Sequence, residues 1–134
     1  METICEQLGN LLTFDVELMN VDGEIYLCVF HDKSMNEDDK AIMEIMQVAY
    51  LVKCFISKYH EDKCVIASES INSSGSSPVN CTFRLEKPML SKEVLKSEYG
   101  VDCDWQNNER CMYQDRCIAS GECVYIPEWE DRCL

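Results

Sequence analysis

Apolar residues near the start of the chain recur at helical spacing, Ile4, Leu8, Leu11 and Leu12, so residues 2–12 read as a short amphipathic helix that packs on a sheet. The period then changes to two. Phe14, Val16 and Leu18 alternate with Asp15 and Glu17, Asp22-Gly23 supplies the dipeptide of a type I′ turn, and residues 24–30 return as a largely apolar run. This predicts a β-hairpin. Ile25, Leu27 and Val29 share one face of its second strand while Tyr26, Cys28 and Phe30 share the other, the pattern of a strand covered on both sides. Cys28 is then a buried small hydrophobe.

A long helix is expected over residues 36–59. Ser34 and Glu37 have capping-box spacing, Asn36 offers an alternative cap, and Glu37, Asp38 and Asp39 place negative charge at the positive end of the macrodipole. Ile42, Ile45, Met46, Ala49, Val52 and Ile56 form one apolar stripe, and Ala41, Val48, Leu51 and Phe55 form a second beside it. Most of the circumference is therefore apolar. Such a helix is either the centre of the core or a dimerisation surface, and the core is the preferred place in so small a chain. Met43 and Met46 are expected to fill gaps in that core.

Residues 64–67 and 79–85 read as two further strands around a polar loop, residues 73–78, which is expected to be mobile. Asn72 and Asn80 begin glycosylation-acceptor patterns, taken as chance matches in the absence of a secretory signal. Ser91 caps a brief helix over residues 92–98 that Gly100 closes. The expected fold class is α+β: a small antiparallel sheet packed with a long central helix, as a body of residues 1–101, followed by an irregular cysteine-rich knuckle, residues 102–134. The run from the hairpin through the acidic-capped helix resembles part of a GAF-type or roadblock-type ligand-sensing or dimerising domain, over about 50 residues. That likeness implies a regulatory module.

With 134 residues and 46% apolar composition the chain has material for one real core without obligatory disulfides or metals. Its apolar stretches, such as residues 49–52, fall far short of the ~20 residues a spanning helix requires, so no membrane partner is expected. Glu2 and Glu6 follow Met1 with no basic and apolar leader, which points to a cytoplasmic location. Net charge is −13. Residues 1–39 carry ten acids and one lysine, and residues 102–134 eight acids and three arginines, whereas residues 40–101 are nearly neutral. Such a field repels nucleic acid and favours a basic protein partner, including, as an alternative function, a basic nucleic-acid-binding enzyme that the chain would inhibit.

Ten cysteines divide into two groups: Cys5, Cys28, Cys54, Cys64 and Cys81 are scattered, while Cys103, Cys111, Cys117, Cys123 and Cys133 crowd the C-terminal segment. Cys103, Cys111, Cys117 and Cys123 are four soft thiolates within 21 residues, enough to surround one tetrahedral zinc with short loops between them. Trp105 and Tyr113 each follow a cysteine by two positions. This segment resembles a CCCH-type zinc finger, C-x7-8-C-x5-C-x3-H, over about 20 residues of the 134. The resemblance assigns Cys103, Cys111 and Cys117 as ligands; its histidine position is Gly121 here, and Cys123 is the nearest donor. It also implies binding to single-stranded RNA, which Asp102, Asp104, Glu109, Asp115 and Glu122 oppose against Arg110 and Arg116. A structural zinc is the preferred reading, with an iron–sulfur cluster, disulfides and free thiols as the alternatives.

His31 and His60 are the two histidines. The nominal catalytic sets they could join are Cys28, His31 and Asp32, or Cys64 and His60, and neither sits in a catalytic motif. Phosphate-binding loops, metalloprotease helices and nucleophile elbows are missing as well. The function expected is therefore non-enzymatic: a regulatory or protein-interaction protein, possible as a homodimer, with a zinc knuckle, or an iron–sulfur redox sensor if the thiolates hold a cluster.

Overall fold

The computed structural model describes residues 2–88, 97 and 129–134. The chain divides into two units, Met1–Glu86 with Glu130–Leu134, and Lys87–Trp129. The first contains helix α1 (Ile4–Leu11), strands β1 (Asp15–Val21) and β2 (Glu24–Ser34), helix α2 (Ala41–Tyr59), strands β3 (Val65–Asn72) and β4 (Pro78–Glu86), and the end of a short helix α3 (Trp129–Cys133). The predicted helix over 92–98, Ser97 excepted, and residues 102–128 of the cysteine-rich segment lie outside the described residues.

The fold is α+β, with four antiparallel strands in the order β1-β2-β4-β3 and helix α2 on one face. Strand alternation decides which side chains meet the helices. Ile25, Leu27 and Val29 from β2, with Val79, Cys81, Phe83 and Leu85 from β4, are buried there against Ala41, Ile45, Val48, Ala49, Val52 and Ile56 of α2. On the opposite face of β2, Cys28 is buried but Tyr26 and Phe30 are half-buried, so the cover expected on both sides is unequal.

Local chemistry fixes the elements. Thr3 caps α1 by accepting the Glu6 N–H at 3.2 Å, and Ile4 and Leu8 bury its inner face. Asp22 and Gly23 have φ of 53° and 84°, the left-handed pair that a type I′ hairpin turn requires. Gly23 N–H also donates to the Asn20 side chain at 3.0 Å.

Helix α2 begins at Ala41, five residues later than the sequence pattern predicts. Ser34 and Glu37 do bond, with the Ser34 N–H and hydroxyl both donating to Glu37 Oε1 at 3.3 and 3.2 Å, while the Glu37 N–H donates to the Ser34 carbonyl at 3.1 Å. They close a turn instead of a helix end. Asp38 then accepts the Lys40 N–H through its side chain and the Ala41 N–H through its carbonyl. These local bonds offer the backbone an alternative to helix, which delays propagation. The loop between β3 and β4, expected to be mobile, is held to this turn: Gly75 accepts the Asn36 N–H at 3.1 Å, and a Cβ on Gly75 would come within 3.0 Å of the Asn36 side chain.

Candidate functional site

The proposed zinc ligands Cys103, Cys111, Cys117 and Cys123 lie outside the described residues. Cys133, by sequence a neighbour of that cluster, belongs to the body: it is buried, and its field reaches Cys64. The residue beyond it, Leu134, is also buried and accepts the Cys5 N–H at 3.0 Å. Among the described residues no group of three or more His, Cys, Asp or Glu side chains gathers as a metal site.

Of the first nominal catalytic set, His31 Nδ1 lies 3.0 Å from Asp32 Oδ1, but the Cys28 thiol is directed elsewhere. Cys28 and His31 of β2 have different surroundings, His31 lying beside Phe14 and Glu44 of α2. The Cys28 thiol faces Met19 and Thr82, at 3.5 and 3.7 Å, away from the helices. His31 is buried among core side chains, with the Phe14 ring at 4.7 Å; its Nδ1 accepts the Lys33 N–H at 2.9 Å, and its Nε2 lies 3.5 Å from Glu44. In the second set, His60 contacts Gln7 Oε1 at 2.7 Å, which assigns the proton to Nε2 because that oxygen can only accept. Burial lowers the His60 pKa and Lys63 lowers it further, so the ring is held neutral. Cys64 donates its backbone N–H to the His60 carbonyl, while burial, aided by Cys133 and Asp62, pushes the Cys64 thiol up to about 12. A nucleophilic thiol requires the opposite shift.

What the body does present is a helix face. One side of α2 meets the sheet; the other exposes Met43, Met46, Tyr50 and Leu51, which are 63, 53, 66 and 56% accessible. Met43 and Met46 therefore do not fill the core as expected. With 3.6 residues per turn, these four and the exposed Cys54 fall on the arc opposite the buried residues. Charge is sparse here, in a chain that is 28% charged: α2 contains Glu44, Lys53 and Lys58. Lys53 is tied to Glu69 on β3 at 3.0 Å.

Beside this face, α1 and α2 enclose an apolar groove of about 330 Å³, lined by Leu8, Leu11, Leu51, Phe55 and Tyr59, with Lys58 the one charged residue of its lining among the described residues. Leu11 is 66% exposed at its edge. The groove and the exposed arc of α2 share Leu51 and Cys54 and so form one continuous apolar strip. Periodicity reveals both stripes of α2 in the sequence, but it does not say which arc the sheet covers. Two signals in the sequence bear on it: Ala41, Ala49 and the β-branched Val48 and Val52 suit close packing on a sheet, whereas methionine and tyrosine make up the other arc. No helix among the described residues is long and apolar enough to cross a membrane. In comparisons with family models, curated proteins and solved structures, nothing matches this chain.

Proposed function

We propose that this chain is a non-enzymatic protein-interaction module, whose α+β body engages a protein partner through the outward face of α2. The observation that carries the reading is the exposure of Met43, Met46, Tyr50 and Leu51 on one arc of a helix whose opposite arc is already buried. The partner is a protein with an apolar surface of its own. Raised thiol pKa values and a neutral, hydrogen-bonded His60 argue against a nucleophilic site in the body.

Cys54 sits on the same face and reports on it without any foreign label. In dilute, folded protein its thiol is expected to be alkylated by iodoacetamide without denaturant. A protected Cys54 at every dilution would mean that the chain covers its own face, and would overturn the reading.

The C-terminal segment, in this reading, holds a structural zinc through Cys103, Cys111, Cys117 and Cys123, which are the cysteines left to it once Cys133 is assigned to the body. Intact mass under native conditions is expected to exceed the denatured mass by one zinc and to lose that excess to a chelator. Visible absorbance with iron would replace zinc by a cluster, and mass deficits of two hydrogens per cysteine pair would replace both by disulfides.

A further inference from the structure

Along α2, Glu44, Leu51 and Lys58 recur every seven residues, and Met43, Tyr50 and Ser57 form a parallel row beside them. The outward face therefore carries an acid near its N-terminal end, a leucine at its middle and a lysine near its C-terminal end. Such a face is complementary to itself in one orientation. A two-fold axis through Leu51 that lays a second α2 antiparallel sets Leu51 against Leu51 and each Glu44 against Lys58 of the other copy. A parallel pair sets acid against acid and lysine against lysine.

The charges on this face are available for such pairing. Glu44 is about half exposed, reaching His31 at 3.5 Å from the side of the helix. Lys53 is engaged with Glu69, whereas Lys58 is in no ion pair among the described residues and rests over the Tyr59 ring at 5.3 Å. Elsewhere two copies of a chain of net charge −13 repel each other, and α2, with two lysines against one glutamate, is where a second copy meets least like charge.

We propose that the occupant of the α2 face is a second copy of this chain, packed as an antiparallel homodimer about Leu51 with reciprocal Glu44–Lys58 pairs across the two-fold axis. This rests on the reading of that face as an association surface. Salt screens both the two exposed Glu44–Lys58 pairs and the mutual repulsion of two chains of charge −13; the repulsion is the larger of the two, so salt tightens the dimer on balance, whereas it loosens association with a basic partner.

Sedimentation equilibrium of the full chain from about 1 to 100 µM, at low and high salt, tests the proposal. The expected mass is twice 15.5 kDa at the upper end, reached at lower concentration in high salt. Glu44→Lys and Lys58→Glu each turn two attractive contacts into repulsive ones and weaken the dimer about tenfold; Glu44→Lys/Lys58→Glu restores it. Mixing the two single variants is the sharper arm, because both Glu44–Lys58-type cross-contacts between them are attractive, so the mixture associates about tenfold more tightly than either variant alone. Circular dichroism of each variant separates this from misfolding, and the double variant's recovery does so again. A mass of 15.5 kDa throughout overturns the homodimer, and so does a dimer indifferent to the charge exchange. In the monomeric case Cys54 alkylation decides the wider reading: a reactive Cys54 leaves the face open to another protein, and a protected one removes the interaction surface as well.

Discussion

The thiols of the body divide by environment, and the division has chemical consequences. Burial pushes Cys64 up to about 12 and Cys81 up to about 11, the latter against a partial offset from a backbone hydrogen bond at Val29. Neither is a thiolate at neutral pH. At pH 8, iodoacetamide is expected to modify Cys54 in the folded protein and to spare Cys64 and Cys81, as peptide mapping by mass spectrometry would reveal. The same shifts set a limit on alkaline stability. A folded-state pKa raised above the unfolded value of about 8.5–9 contributes stability that is fully present below pH 9. It is lost progressively between pH 9 and 12, because the unfolded chain ionises first. Denaturant midpoints measured from pH 7 to 11 should therefore fall on the alkaline side. On the acid side His60 acts oppositely: its lowered pKa gives stability that is present above about pH 6.5 and declines as the unfolded imidazole takes up a proton. Gln7→Ala removes the oxygen that His60 Nε2 contacts and leaves both ring nitrogens without partners, since Nδ1 has none already. A loss of about 1–3 kcal/mol is expected from chemical denaturation.

Whole elements were legible where one local signal fixes them. The hairpin is set by Asp22-Gly23 and by alternation that continues from Val16↔Val29 to Leu18↔Leu27, so its register followed from the residues alone. Gly23→Ala places a Cβ at φ 84° and is expected to cost about 1 kcal/mol in thermal unfolding, although open space surrounds the position. Thr3→Ala, which removes the α1 cap, should cost a similar amount, about 1 kcal/mol. The start of α2 was less legible, because Ser34-Glu37 is a capping pair in spacing and a turn in fact: Asp38 intervenes with its own bonds to the backbone at Lys40 and Ala41. The orientation of α2 was legible only through residue type, not through periodicity. The buried arc takes Ile45, Ala49, Val52 and Ile56 from one predicted stripe and Ala41 and Val48 from the other, and where it falls depends on a sheet formed by residues on both sides of α2 in the chain. Met46 and Leu51 accordingly fell on the exposed side, although each belonged to a stripe expected to pack.

At the scale of the molecule, the C-terminal residues are part of the body's architecture. Composition alone makes everything beyond residue 102 look like an acidic, cysteine-rich appendage, because no periodicity links five residues at 130–134 to a core built from residues 4–86. Yet Leu134 is 2% exposed, Cys133 is buried beside Cys64, and the Leu134 carbonyl accepts the Cys5 N–H at the first turn of α1. Burying a leucine side chain contributes about 1.5–3 kcal/mol, and a hydrogen bond to a helix's first turn satisfies a donor that has no partner within the helix. Removing residues 130–134 is therefore expected to cost the body several kcal/mol, on the order of a third of a typical domain's stability. Leu134→Ala, which keeps the backbone bond and opens a cavity, should cost about 2–4 kcal/mol. Urea titrations followed by the far-ultraviolet signal of the sheet and α2 would measure both. An unchanged midpoint for the deletion would mean that the segment is docked without contributing, and the body would then stand on residues 2–86 alone. The size of the loss matters for the C-terminal segment too. Under the zinc proposal, a metal site within residues 87–129 would form in a stretch of chain whose flanking residues, Glu86 and Glu130, both belong to the body, which lowers the closure entropy it costs relative to a free tail.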